Sequence, residues 1–115
     1  MTTELVLLRR KHALTQTELA DLIGISQTLV GRLEDATSGK VYTLRLETAF
    51  ALQVVFGKRP GQLFLPLFEE VEEAVMGRAA ALDRALDGRT DSAAEHKRAL
   101  LMEMVRRAAN KPLVL

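Results

Sequence analysis

Apolar residues recur three or four positions apart along most of the chain, which is the spacing of one face of an α-helix. Two short segments with this spacing meet at Gly24. Thr15 and Glu18 form a T-x-x-E capping box at the start of the first, and Ser26 is a suitable cap for the second. A glycine readily adopts the left-handed conformation in which helices end. The pattern therefore predicts two short helices joined by a tight turn.

Each predicted helix has an apolar and a polar side. The inward residues should be Leu19, Ala20, Leu22 and Ile23 in the first helix, and Leu29 or Val30 with Leu33 in the second. The outward residues of the second helix would be Gln27, Thr28, Gly31 and Arg32. Since this outward side carries a single charge, it suits the reading of base edges better than mere contact with water.

Six residues in this region form a recognisable pattern: Gln16, Ala20, Gly24, Val30, Leu33 and Glu34. The pattern resembles the helix-turn-helix of lambda-repressor/Cro-like (Xre-type) DNA-binding proteins, and the resemblance extends over residues 5–64. In that family a small residue stands where Ala20 is, because the two helices cross closely there. The resemblance implies a sequence-specific transcriptional regulator. We do not expect an enzyme, because the chain has two distant His residues, no Cys, no phosphate-binding glycine loop and no carboxylate–His spacing suited to a metal. The alternative is a helical hairpin in an unrelated bundle.

The resemblance also implies roles for individual residues. The expected base-contacting residues are Gln27, Thr28, Arg32 and Ser26. Gln27 suits the N6 and N7 atoms of adenine, and Arg32 suits O6 and N7 of guanine. The expected phosphate-contacting residues are Thr15, Gln16, Thr17, Ser38 and Lys40. Arg9 should pair with Glu34, while Ala20 and Gly24 should be structural. For each exposed residue the alternative is a side chain that is merely solvated.

Two features depart from the family pattern. Gly31 lies inside the second predicted helix, where glycine costs about 1 kcal/mol relative to alanine. The segment 36–43 replaces a short turn, and we expect a longer loop that brings Ser38, Lys40 and Tyr42 near a phosphate. A strand through Val41 is the other possibility.

The remaining helices follow from the same spacing. A first helix should run from a cap at Thr2 or Thr3 to about His12, with Leu5, Val6 and Leu8 inward. A fourth should end at Gly57, and its apolar residues should be buried: Leu44, Leu46, Ala49, Phe50, Leu52, Val54 and Phe56. Pro60 should begin a short fifth helix. Residues 1–65 would thus form an all-α, five-helix lambda-repressor-like DNA-binding domain.

Residues 66–115 predict a two-helix C-terminal extension. The first of these helices should start at Pro66 and stop at Gly88, and the second should start with a capping box at Ser92 and Glu95. Their expected inward residues are Leu67, Phe68, Val71, Val75, Ala79, Leu82 and Leu86, followed by Leu100, Leu101, Met104, Val105 and Ala108. Two helices cannot cover both stripes, so we expect a homodimer, with intramolecular packing as the alternative. A further alternative is an antitoxin-type module that binds a protein partner through residues 66–115.

Composition narrows the function without deciding it. The 115 residues contain no cysteine and carry a formal net charge of +1. Lys and Arg number 8 against 6 Asp and Glu in residues 1–65, and 8 against 9 in residues 66–115. This difference favours DNA contact through the N-terminal part, but only slightly. We expect a cytoplasmic protein whose partner is double-stranded DNA, with no cofactor, no metal site and no membrane segment.

Overall fold

The computed structural model of the chain describes residues 3–35 and 44–110. All regular elements within these ranges are helices: α1 (Glu4–Lys11), α2 (Gln16–Ile23), α3 (Gln27–Glu34), α4 (Leu46–Phe56), α5 (Pro60–Leu63), α6 (Leu65–Ala85) and α7 (Ser92–Ala109). The expected all-α fold, with five N-terminal helices followed by two longer ones, is confirmed. Ser38, Lys40, Tyr42 and the possible strand through Val41 lie outside the described residues.

The chain forms two compact units, Met1–Glu70 and Val71–Leu115. The first unit contains α1 to α5 and the start of α6, and the second contains the rest of α6 together with α7. The division into a DNA-binding domain at 1–65 and an extension at 66–115 stays a prediction.

Side-chain caps begin the first three helices. Thr3, Thr15 and Ser26 each accept a hydrogen bond from the backbone N–H three residues further on. Thr15 and Glu18 complete the predicted capping box, because the Glu18 carboxylate also accepts from the Thr15 backbone N–H. Gly24 ends α2 with a φ of 74°, in the left-handed region that glycine adopts without steric cost. Gly24 therefore sets where α2 ends, and the Ser26 cap sets where α3 begins.

One apolar core joins the helices of the first unit. Its buried residues are Leu5, Leu8, Leu19, Ala20, Ile23, Val30, Leu33, Leu52, Leu63 and Phe64. The prediction that Leu22 also faces inward is wrong, since 58% of this residue is exposed. Of the two alternatives on α3, Val30 is the fully buried residue and Leu29 is half-buried.

The outward face of α4 is apolar, contrary to expectation. Leu46, Phe50 and Val54 were predicted to be buried, but they are 67%, 56% and 84% exposed. They lie four residues apart and so share one side of the helix. Apolar residues occur on more than one side of α4. Packing against the other helices of the first unit buries the side that carries Ala49 and Leu52.

The start of α7 also differs from the prediction. Asp91, rather than Ser92, is the N-cap, and its carboxylate accepts from the Ala94 backbone N–H. The same carboxylate accepts two hydrogen bonds from Arg89, at 3.0 and 2.9 Å. These bonds favour the ionised form, so Arg89 and the N-cap interaction lower the pKa of Asp91 from 3.8 to about 2. Both residue types can cap a helix, but only Asp91 also pairs with Arg89.

The turn between α6 and α7 is held by Arg98 of α7. The Arg98 guanidinium on α7 donates to the backbone carbonyl oxygens of Leu86, at 2.7 Å, and of Arg89. Leu86, Ala94 and Leu101 form a small buried cluster beside these bonds, with Ala79 and Met104 packed against it.

Most other large apolar side chains of the second unit are exposed. They are Val71, Val75, Leu82, Leu100, Met102 and Val105, with exposures from 38% to 63%. Val71, Val75, Leu82, Leu100 and Val105 belong to the two predicted apolar stripes, and the contact between α6 and α7 does not cover them within one copy of the chain. Phe68, in the first unit, was also expected inward and is 46% exposed. Among the helices of residues 3–35 and 44–110, none combines the length and the hydropathy of a membrane-spanning segment.

Candidate nucleic-acid interface

The polar side of α3 is accessible, as DNA contact requires. Ser26, Gln27, Thr28 and Arg32, the four predicted base-contacting residues, are all exposed. The Ser26 hydroxyl oxygen accepts from the Leu29 backbone N–H at 3.1 Å, so it caps the helix and keeps its own hydrogen for donation. The first turn of α3 therefore presents several side chains that can donate and accept hydrogen bonds.

A small residue allows α2 and α3 to pack closely. Ala20 is 3% exposed and lies in the core between the helices. Its carbonyl oxygen accepts from the backbone N–H groups of Gly24 and Ile25, at 2.9 and 3.1 Å. Ala20 is thus buried in the core, and Gly24 forms the turn that ends α2, as was expected for both.

The predicted pair of Arg9 and Glu34 is present and is buried. Arg9 Nε lies 2.5 Å from Glu34 Oε2, and Arg9 Nη2 donates to Oε1 at 3.1 Å. The exposed fractions of the two side chains are 12% and 4%. Arg9 also donates to the Leu14 carbonyl oxygen at 2.9 Å. Because the pair is shielded from water, removing one partner would leave the other charge buried and uncompensated.

Hydrogen bonds continue from Glu34 to the exposed face of α3. Gln16 Nε2 donates to Glu34 Oε1 at 2.8 Å, and Gln27 Nε2 donates to Gln16 Oε1 at 2.7 Å. Arg9, Glu34, Gln16 and Gln27 thus form one connected set, called here the four-residue network. The pair of Arg9 and Glu34 was expected from the family resemblance, but the bond between Gln16 and Glu34, which joins residues 18 positions apart, was not.

The predicted phosphate contacts are only partly described. Thr15 and Thr17 are exposed near the start of α2, and Gln16 is half-buried between them. The Thr15 oxygen accepts from Glu18 within the capping box, at 3.0 Å. The first turn of a helix also offers backbone N–H groups to an anion. Ser38 and Lys40 are not among the described residues.

Comparison with known families identifies this arrangement. Residues 5–63, more than half of the chain, match the sequence model of a helix-turn-helix family. The chain belongs to this helix-turn-helix family. The inferred likeness to lambda-repressor-like (Xre-type) proteins is thereby confirmed. Searches among curated proteins and among solved structures returned no match.

Membership assigns functions to the helices already described. In this helix-turn-helix protein α2 is the first helix of the motif, Gly24 makes its turn, and α3 is the recognition helix. The protein is a DNA-binding transcription regulator. Within residues 3–35 and 44–110 the structure contains no group of three or more His, Cys, Asp or Glu side chains that could hold a metal ion.

Proposed function

We propose that this helix-turn-helix protein is a repressor that binds a palindromic operator in double-stranded DNA as a homodimer. The observation that carries the proposal is the exposed first turn of α3, where Gln27 donates to Gln16 and keeps a second amide hydrogen and an acceptor oxygen for another partner. Gln27 would read adenine and Arg32 would read guanine in the major groove. Thr28 and Ser26 would contact neighbouring base edges.

Phosphate contacts would position the recognition helix without reading sequence. Thr15, Gln16 and Thr17 at the start of α2 are proposed for this role, together with Ser38 and Lys40. The small excess of basic residues in 1–65 gives modest attraction to the DNA backbone. One recognition helix reads only a few base pairs, so two copies are needed for high affinity.

The second unit supports the homodimer because it leaves large apolar side chains exposed on both of its helices. They are Val71, Val75 and Leu82 on α6 and Leu100, Met102 and Val105 on α7. An 18-residue helix such as α7 is about 27 Å long, and two helices side by side are about 20 Å wide, so their face covers roughly 500 Å² in projection. A standard interface buries about 800 Å² of accessible area per partner, so a second hairpin matches in scale.

Molecular mass in solution tests the dimer. We expect the wild-type protein to elute as a dimer, and Leu82→Glu to make it a monomer because the variant would place a charge in the apolar contact. Val54→Glu is the matched control, since Val54 is an exposed apolar residue on α4 and the variant should stay dimeric. A wild-type monomer at micromolar concentration would refute the homodimer. A protein partner bound to residues 66–115 would then favour the antitoxin-type alternative.

Selection of binding sites from random double-stranded DNA tests the regulator itself. We expect a palindrome whose half-sites lie about one helical turn apart, 34–36 Å, bound in a salt-sensitive complex. Gln27→Ala and Arg32→Ala should each lose about 1–3 kcal/mol of base discrimination. Gln53→Ala, which changes an exposed amide on α4, should leave the site preference unchanged. The absence of any preferred site would refute the proposal. We place the protein in the cytoplasm, a reducing compartment that suits a chain without cysteine.

A further inference from the structure

Half of the basic residues in the first 65 positions of the chain lie at one corner of the first unit. Two of them end α1, and two connect α4 to α5. The two segments meet because the rings of His12 and Phe56 lie with their centroids 6.2 Å apart, and because α1 also packs against α5. We call this group the basic corner, and its members are Arg10, Lys11, Lys58 and Arg59.

No acidic residue follows or precedes the basic corner closely in the sequence. Residues 5–17 and 48–68 contain no aspartate or glutamate. The ion pairs of the described residues involve Arg9, Arg89 and Arg106, and no member of the corner. Three members are exposed, and Lys58 is half-buried. All four charges can therefore interact with a partner from solution.

The helix dipoles account for only part of this charge. The basic corner lies at the C-terminal ends of α1 and α4, where cations are favourable. Each helix end carries a partial charge of about −0.5, so two ends offset about one of the four positive charges and leave about three. Repulsion among charges of one sign destabilises the folded chain, and an anionic partner would relieve it.

The start of α2 adjoins the basic corner. The turn from α1 to α2 is four residues long, and two backbone hydrogen bonds close it. Ala13 N–H donates to the Arg10 carbonyl oxygen at 3.0 Å, and Leu14 N–H donates to that of Arg9 at 3.1 Å. Thr15, the cap of α2, is one of the residues proposed to contact phosphate. A DNA strand carries a phosphate about every 3.4 Å along the helix axis, so a strand that passes Thr15 also brings phosphates to the corner.

We propose that the basic corner binds the sugar–phosphate backbone of DNA beside the phosphates at the start of α2. The inference rests on the proposed function, in which α3 lies in the major groove and α2 contacts phosphate. DNA fits the corner better than an acidic protein segment does, because a duplex carries one negative charge about every 1.7 Å and several phosphates can face four cations at once. Backbone contacts carry no sequence information, so the corner strengthens binding to every site alike.

The salt dependence of DNA binding tests the basic corner. The logarithm of the binding constant falls linearly with the logarithm of the salt concentration, with a slope of about −0.9 for each phosphate that the protein neutralises. One test variant is Arg10→Gln/Lys11→Gln, and the other is Lys58→Gln/Arg59→Gln. Each removes two cations, so the slope should become less steep by about 0.9–1.8 for every bound copy, corresponding to one or two lost phosphate contacts.

Two controls separate a local contact from the overall charge. Arg78→Gln/Arg84→Gln removes the same charge from exposed positions on α6 in the second unit, and it should leave the slope unchanged. Arg10→Lys/Arg59→Lys keeps all four charges of the basic corner and should keep the slope. Melting curves followed by circular dichroism verify that each variant is folded, and either corner variant decides the matter alone if the other is not.

The possible results separate the two proposals. We expect both corner variants to bind the selected operator and random-sequence DNA more weakly by similar factors, with their base preference unchanged. If the wild-type protein binds its operator and both corner variants keep its slope, the role of the corner is refuted while the proposed function stands. If the corner variants change the base preference, the corner is not a backbone contact and its role is refuted. If the wild-type protein has no preferred site in DNA, both proposals are refuted.

Discussion

The buried ion pair between α1 and α3 offers the sharpest test of how the first unit is held together. Arg9→Met would remove the guanidinium and leave the Glu34 carboxylate, 4% exposed, with Gln16 as its remaining side-chain donor. Breaking a buried pair from one side costs about 3–5 kcal/mol, because the remaining charge is desolvated without compensation. Total stabilities are about 5–15 kcal/mol, so this is a large fraction of the whole.

Urea unfolding monitored by circular dichroism measures the loss. With a slope of about 1–3 kcal/mol per molar urea, we expect the midpoint to fall by more than about 1 M. Arg106→Met is the matched control: Arg106 pairs with Glu103, but both side chains are more than half exposed, and its loss should cost at most about 1 kcal/mol.

Removing both charges should cost much less than removing one. Arg9→Met/Glu34→Met replaces the pair by apolar side chains of similar volume, which in other proteins is often neutral or stabilising. We expect the double variant to recover most of the lost stability. An Arg9→Met variant as stable as Arg106→Met would refute the reasoning, since it would mean that the Glu34 charge is well solvated without its partner.

Three further predictions concern single positions. Gly24→Ala should lower the free energy of unfolding by about 1–2 kcal/mol in urea titrations, because a side chain is strained at a φ of 74°. Gly31→Ala should raise it by about 1 kcal/mol, since the added Cβ would lie 3.9 Å from Gln16 Nε2, an ordinary contact, and the helix gains propensity. Asp91 should titrate near pH 2 by NMR, and Arg89→Met should move its pKa up toward 3.8. Because the folded-state pKa is the lower one, the stability that Asp91 contributes is complete above pH 3.8 and is lost as the pH falls through about 2.

The sequence predicted the helix-turn-helix well because its signals are local. A cap, an acidic partner three residues on and a glycine at the turn act within a few residues, as Thr15, Glu18 and Gly24 show. The pair of Arg9 and Glu34 was expected from family resemblance rather than from spacing. The position of every exposed side chain on α3 followed once the start of that helix at Ser26 was known.

Burial could not be predicted where a helix is apolar on more than one side. Spacing alone does not tell which side of α4 meets the core, so the exposure of Phe50 and Val54 was missed. The same reasoning applies to Val75 and Leu82, whose stripe continues beyond what α7 can cover. The bond from Gln16 to Glu34 was also missed. It forms only when α2 and α3 are packed together, and it depends on which end of the Gln16 amide faces the carboxylate.

The turn between α6 and α7 implies a gradient of mobility along the second unit. Arg98, Asp91 and the buried Leu86 all act at the closed end of the hairpin, whereas Val71 and Val105 towards the other end are about half exposed. Amide hydrogens near Ala94 should therefore exchange with deuterium slowly, and those near Val105 much faster, as long as the protein is dilute. At concentrations where two copies associate, the amide exchange rate at Val105 should fall toward the rate at Ala94. Hydrogen exchange would then show which residues the association protects.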